Sequence, residues 1–303
     1  DIGALKSLQL LLHTVFCFLI MISFKSNQKQ ILFFLLYFIN PAIIYLTIFP
    51  FYYFWQAIGS YILVLLLLNK KYRNISALIL TAILLAWIYH VRISTLPLSI
   101  FIIVFGFYTI PLMFRSIALL IFVFSVYLME PVYLSKHPGH VMYSSLGAYP
   151  GSPVKGFADN ISFENYSKAT GKDFSYTSTP SMYDPEVIMG EAKWGMNEFL
   201  SFAKDHPLII ARNAVLNICE SFAFGYLTAS MALTYFSAFL GFGFLMLLII
   251  RKKYTNIIIL LISTCSYILY LAPVPIYLYG TYILSTFVLI DLIPDKRRVI
   301  SIN

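Results

Sequence analysis

The sequence predicts an all-α membrane protein, a bundle of about nine spanning helices with one large outer-face insert of mixed helix and loop. Three observations lead there. Hydrophobic residues make up 60% of the chain and charged residues only 11%, where a soluble domain averages about 25% charged. Apolar runs near the roughly 20 residues needed to cross hydrocarbon as a helix recur along the chain. One stretch, Ser135–His206, has no such run, yet it collects eight of the 13 acidic residues and three of the five histidines.

The net charge of +8 does not point to nucleic acid, because the basic residues sit in short clusters between apolar runs. That is the pattern of cytoplasmic loops in membrane proteins. Cys17, Cys219 and Cys265 are far apart in sequence and the insert has no cysteine. They form no disulfide framework or metal-ligand spacing and read as small apolar packing residues.

Taken in order, the expected spans lie near Ser7–Phe24, Ile31–Phe49, Phe51–Leu68, Ile75–Tyr89, Leu96–Phe114 and Ser116–Leu134. After the insert come Ser230–Ile250, Asn256–Leu271 and Tyr277–Ile293. Three regions follow: N-terminal membrane helices over 1–134, a polar cap over 135–206, and an interfacial helix with the C-terminal membrane helices over 207–303. Lys25 and Lys29, then Lys70, Lys71 and Arg73, then Arg115, Arg251–Lys253 and Lys296–Arg298 all fall on one side of such a bundle. The positive-inside rule makes that side cytoplasmic and places both the insert and Asp1 outside. A chain that starts outside is expected to lack one helix ahead of Asp1. The setting expected is a bacterial inner membrane with the insert in the periplasm or outside the cell.

Within the insert, Tyr143, Tyr149, Tyr176, Tyr183 and Trp194 supply aromatic surface for a compact fold. Asp184-Pro185-Glu186 reads as a helix start, with a capping carboxylate, proline at the first position and an acid at the positive end of the dipole. That helix is expected to run to Lys204 and stop at His206-Pro207. A second, Leu208 to Phe222, carries Arg212 and Glu220 among Ile209, Val215, Leu216 and Cys219, and reads as an interfacial helix.

Ionisable groups in or beside membrane spans are costly and need a reason. On the outer side these are His90, Arg92, Glu130, His137, His140, Asp159, His206 and Arg212. Asp159 and Glu130 are the carboxylates placed to take a proton from an acceptor hydroxyl. Arg92 and Arg212 can fork onto phosphate oxygens. His137-Pro138-Gly139-His140 has two histidines but no carboxylate or cysteine to complete a metal site, so neither metal nor cofactor is expected.

Asn40-Pro41 inside an early span, Arg92-Ile93-Ser94-Thr95 after the fourth, and the insert opening HPGHVMYSSLGAYP together resemble the type C glycosyltransferase superfamily, in particular its family 39-like bacterial members. In those proteins a segment similar to His140–Gly147 precedes an aspartate comparable to Asp159. A Tyr-x-x-Glu helix like Tyr183–Glu186 follows, and a His-Pro before an arginine helix like His206–Arg212. The resemblance implies transfer of a sugar from a polyprenyl-phosphate carrier to a glycan, lipid or protein acceptor at the outer face. Substrate contacts would come from His90, Arg92, His137, His140, Tyr143, His206 and Arg212. In that superfamily the principal catalytic acid follows the first membrane helix, so here it is expected outside these 303 residues. Two alternatives share the pattern: an O-antigen polymerase or ligase, and a transporter or flippase with an outer gating domain. The absence of an internal repeat weighs against the last.

Overall fold

A computed structural model describes residues 1–49, 53–129, 138–171, 185–228 and 230–294. Every regular element among them is helical, and no strand is present.

Helix α1 (Ile2–Ser23) opens on Asp1, whose Oδ1 accepts from Gly3 N at 2.8 Å. Helix α2 (Asn27–Phe33) runs into a π-helical turn at Phe34–Phe38 and stops at Asn40. Pro41 has no amide proton to continue the ladder, and Asn40 Oδ1 accepts from Ala42 N at 3.0 Å to start α3 (Pro41–Thr47). The two halves meet at a 55° bend. Next come α4 (Tyr53–Leu68) and α5 (Ile75–Val91), the latter capped by Asn74. Helix α6 (Leu96–Phe101) also continues as a π-helical turn, Ile102–Gly106, and is followed by α7 (Leu112–Met129). Four helices lead out of the polar stretch: α8 (Pro138–Ser145), α9 (Asp159–Thr170), α10 (Pro185–Asp205) and α11 (Pro207–Ser221). The chain closes with α12 (Met231–Ile250), α13 (Tyr254–Thr264) and α14 (Tyr279–Asp291).

Among the described residues three helices, α1, α7 and α12, are long and apolar enough to cross a membrane, and the bent pair of α2 and α3 makes a fourth if it is one span. Nine spans were expected. Each expected span contains a helix, but the rest are shorter apolar pieces. Asn-Pro and the two π-helical turns shorten the straight helical runs that an unbroken apolar sequence promises.

The chain divides into two compact units. The first comprises Asp1–Glu130, Met246–Ser266 and Pro275–Asn303. At its centre α4 is buried on every side, through Phe54, Ala57, Tyr61, Leu63 and Val64, and it is apolar all round, as a surrounded helix must be. Gly280 brings α14 against it: a Cβ there would stand 3.3 Å from Ala57 Cα. One cluster of polar groups inside this unit pairs within itself. Tyr61 Oη lies 3.0 Å from both His13 Nδ1 and Tyr37 Oη, and Thr47 Oγ1 lies 2.6 Å from Tyr279 Oη. Outward residues such as Leu120, Phe124 and Leu128 on α7 are apolar, so this surface suits lipid rather than water.

The second unit comprises Pro131–Leu245 and Tyr267–Val274. Its core forms around Tyr143, Leu146, Val154 and Phe199, with Trp194 and Ile210 packed on it. Helices α8 and α10 touch backbone to backbone: a Cβ at Gly139 would fall 1.8 Å from Ala192 O. Helix α10 starts at Pro185 and ends before His206, as the sequence signals dictate, and α11 follows Pro207 directly. Helices α8 and α9 were not expected from a stretch so rich in glycine, serine and proline. Helix α9 ends at Gly171, whose φ of 68° is a left-handed cap that costs glycine little.

Candidate functional site

The site grows from α11. Its polar residues Asn213, Asn217 and Glu220 recur at i, i+4 and i+7 and so share one face, and all three are buried. Against that face lies Tyr149, just after α8. Its Oη is 2.6 Å from Asn217 Oδ1 and 2.9 Å from Glu220 Oε2. A tyrosine hydroxyl has one proton to give to these two acceptors. The conflict disappears when Glu220 is protonated: the carboxyl donates to Tyr149 Oη, and Tyr149 donates to Asn217. Burial acts in the same direction and raises the Glu220 pKa to about 8, opposed by the Tyr149 hydrogen bond. Burial likewise pushes the Tyr149 hydroxyl well up. Tyr226 Oη donates to Ala148 O at 2.8 Å and fixes the backbone beside Tyr149.

In front of this network is a small cleft with about 10 Å³ of free volume, lined by Ser145, Leu146, Tyr149, Phe199, Ile210, Asn213, Asn217, Leu269 and Tyr270. That is room for about one water molecule, far below the usual ligand-pocket range of about 300–1,000 Å³, so a larger ligand would rest on the mouth of the cleft. Arg212 is tied to one of its lining residues, Asn213. The guanidinium donates through Nε and Nη2 to Asn213 Oδ1, at 3.1 and 2.8 Å, and through Nη2 to Pro150 O at 2.5 Å. The side chain is otherwise exposed. The arrangement offers hydroxyl and amide groups to a polar ligand, an aromatic side chain at Tyr270, and one positive charge tied to Asn213.

The other residues singled out in the sequence take varied places. Tyr143 is a core residue, its ring tilted against that of Trp194 with centroids 4.7 Å apart and its hydroxyl accepting from Asn165 Nδ2 at 3.2 Å. His140 is not among the residues lining the cleft: its Nδ1 is 3.0 Å from Glu191 Oε1, the atom that also accepts from Ser162 Oγ. Glu191 is fully buried, so this trio ties α8, α9 and α10 together. His206 begins α11, exposed, with its ring 4.8 Å from that of Phe202. Asp159 is the first residue of α9, and its side chain lies outside the described atoms. Glu130 and His137 lie outside the described residues.

His90 and Arg92 belong to the first unit. His90 Nε2 donates to Val126 O at 3.0 Å. Arg92 ends α5 with its guanidinium over two rings, 4.6 Å from the centroid of Tyr277 and 5.2 Å from that of Tyr53, a cation–π arrangement. Among the described residues no group of three or more His, Cys, Asp or Glu is placed to hold a metal ion.

The sequence did not mark Ser145, Tyr149, Asn213, Asn217, Glu220 or Tyr270 as site residues, although Tyr149 was expected as packing surface and Glu220 on the interfacial helix. The polar period on α11 was the available signal, and it was masked by the apolar residues interleaved with it. Comparison with family models, with curated proteins and with solved structures gives no match.

Proposed function

We propose that this chain is a membrane glycosyltransferase that moves a sugar from a polyprenyl-phosphate donor to an acceptor at the outer face of the membrane. One observation carries the reading: the cleft of the second unit combines hydroxyls, two side-chain amides and an aromatic residue with an exposed guanidinium bound to one of those amides. Amides and hydroxyls match the many donors and acceptors of a sugar. A guanidinium matches a phosphate. In the reaction the bond from the anomeric carbon to the phosphate oxygen breaks and one to the acceptor oxygen forms. The acceptor proton passes to a carboxylate, for which Asp159 and Glu130 are the candidates, and the lipid phosphate leaves with an added negative charge. Arg212 offsets that charge. Glu220 is a positioning residue, holding Tyr149 and Asn217 toward the cleft. The topology proposed with it has nine spans, the basic clusters cytoplasmic and the insert outside, in a bacterial inner membrane.

The test is sugar transfer by the full-length protein at matched expression. Loss of one donor to a developing oxyanion costs about 10²–10³ in rate, and Arg212→Ala is expected to fall in that range. Arg212→Lys keeps the charge but not the forked geometry, so it is also expected to be impaired. Activity of both within about threefold of wild type removes the phosphate role.

A transporter is the second reading, favoured by the 55° break at Asn40-Pro41 beside the buried His13–Tyr61 pair, since broken helices and buried ionisable groups mark transport paths. Uptake of solute by vesicles containing the protein, without sugar transfer, would select it.

A further inference from the structure

Helix α11 is polar on its buried side and apolar on its exposed side, the reverse of a helix that faces water. Asn213, Asn217 and Glu220 are buried, while Leu208 is 83% and Val215 59% exposed. Ala211 lies between these two on the same face and is exposed as well. The change from the preceding helix is abrupt. On α10 the exposed residues include Lys193, Glu198, Lys204 and Asp205. From Pro207 to Thr228 the charged residues are Arg212 and Glu220 alone.

The depth reached by the far end of α11 follows from α12. That helix is long and apolar enough to cross a membrane, and its Met231–Leu245 part belongs to the same compact unit as α11. The two helices meet backbone to backbone: a Cβ at Gly241 would collide with Cys219 O and stand 3.4 Å from Phe222 Cβ. Gly241 lies about 15 Å along α12 from Met231, half of a hydrocarbon core about 30 Å thick. At 15 residues α11 is itself too short to cross that core. Instead the chain turns back. Gly225, with φ 84°, donates its N–H to Glu220 O at 3.1 Å. The returning backbone then rests on hydroxyls of α12: Phe224 N donates to Ser237 Oγ at 3.1 Å, and Leu227 N to Thr234 Oγ1 at 3.0 Å. Thr234 Oγ1 donates in turn to Leu227 O. These contacts climb from Gly241 toward the start of α12. Non-helical backbone is tolerated at membrane depth only where protein groups satisfy it, and these hydroxyls do so.

We infer that α11 and residues 222–228 form a re-entrant hairpin, which enters the bilayer from the side where α12 begins and turns back near mid-depth. The partner of its exposed face is the hydrocarbon of the lipid chains, and Leu208, Val215 and Phe224 continue the lipid-facing side that Phe236 and Phe239 form on α12. A helix lying flat in the interface, as the sequence suggests, would not bring Cys219 to Gly241. The polar face of α11 is shielded from lipid by its own unit, with Tyr149 against Asn217 and Glu220. Arg212 lies about 10 Å back along the helix from Cys219, toward the headgroups. The hairpin is independent of the transfer reaction and stands whether or not that reaction is correct.

The test is the depth of single spin labels in the full-length protein, reconstituted in phosphatidylcholine–phosphatidylglycerol vesicles. Cys17, Cys219 and Cys265 are replaced by alanine, and the label is placed at Val215→Cys or Phe224→Cys. Lys155→Cys serves as the aqueous reference and Phe239→Cys as the lipid reference. Oxygen concentrates in hydrocarbon and a nickel chelate in water. The ratio of oxygen to nickel collisions is expected to be several-fold higher at Val215 and Phe224 than at Lys155, and close to that at Phe239. In the unmodified protein, an apolar carbene-generating probe dissolved in the same vesicles should label 207–228 along with α12. A nickel-dominated ratio at either site, or carbene label on α12 with none in 207–228, overturns the hairpin.

Discussion

Glu220 shows how a single buried side chain sets a measurable property of the whole unit. Its pKa rises from an ordinary 4.5 to about 8 on folding, so folding takes up a proton anywhere between those values. Stability from this group is therefore complete below about pH 4.5 and falls as pH rises toward 8, with a slope of at most about 1.4 kcal/mol per pH unit. Glu220→Gln keeps a donor for Tyr149 and removes the titration. Thermal midpoints measured from pH 5 to pH 8 should fall in wild type and flatten in the variant. Parallel curves for the two proteins would mean that Glu220 is ionised throughout. At this scale the sequence was uneven as a guide. It singled out Arg212 as a charge for a lipid phosphate, and the structure places that guanidinium on Asn213 Oδ1 and Pro150 O. It could not show that Tyr143 is a core residue while Tyr149 reaches the cleft, because their neighbourhoods in sequence look alike and only the packing of α8 separates them.

Among elements, the contact of α8 with α10 holds the second unit together, and it depends on two glycines. Gly139 faces Ala192 O, and a Cβ at Gly195 would come within 2.9 Å of Gly139 O. Because backbone lies on both sides, neither helix can yield by rotating a side chain. Gly139→Ala is expected to destabilise by about 1–3 kcal/mol or more. Tryptic cleavage after Lys155 and Lys168, both exposed in this unit, should quicken along with a lower thermal midpoint. An unchanged midpoint would show that α8 docks elsewhere. Helix α10 was legible because its start and stop are written in local chemistry, Pro185 with Glu186 at one end and His206-Pro207 at the other. Helices α8 and α9 were not, since α8 is short and full of glycine and serine and is stabilised by its contact with α10 rather than by its own sequence. The bends inside two expected spans were not legible either, since hydropathy is blind to a π-helical turn such as Phe34–Phe38 or Ile102–Gly106.

For the whole molecule, composition alone fixed the class. An apolar exterior on α1, α7 and α12 with hydroxyl groups paired inside is what a chain with 11% charge must build. The proposed topology makes a direct prediction. With Cys265 replaced by serine, single cysteines at Lys155 or Lys168 should react with an impermeant thiol reagent added outside intact cells. Cysteines at Lys70 or Arg251 should react only after the membrane is opened. Outside labelling at Lys70 would invert the assignment.

The reading of the second unit as the sugar site is tested most directly by photolabelling. A polyprenyl-phosphate sugar carrying a photoreactive group on the sugar ring is incubated with the full-length protein and irradiated, with and without excess unlabelled donor, and the labelled peptides are mapped. Label that the unlabelled donor displaces should concentrate in 145–150 and 207–221, the segments that carry Ser145, Tyr149, Asn213 and Asn217. Displaceable label found only in the first unit, or none at all under conditions where transfer proceeds, would contradict the account.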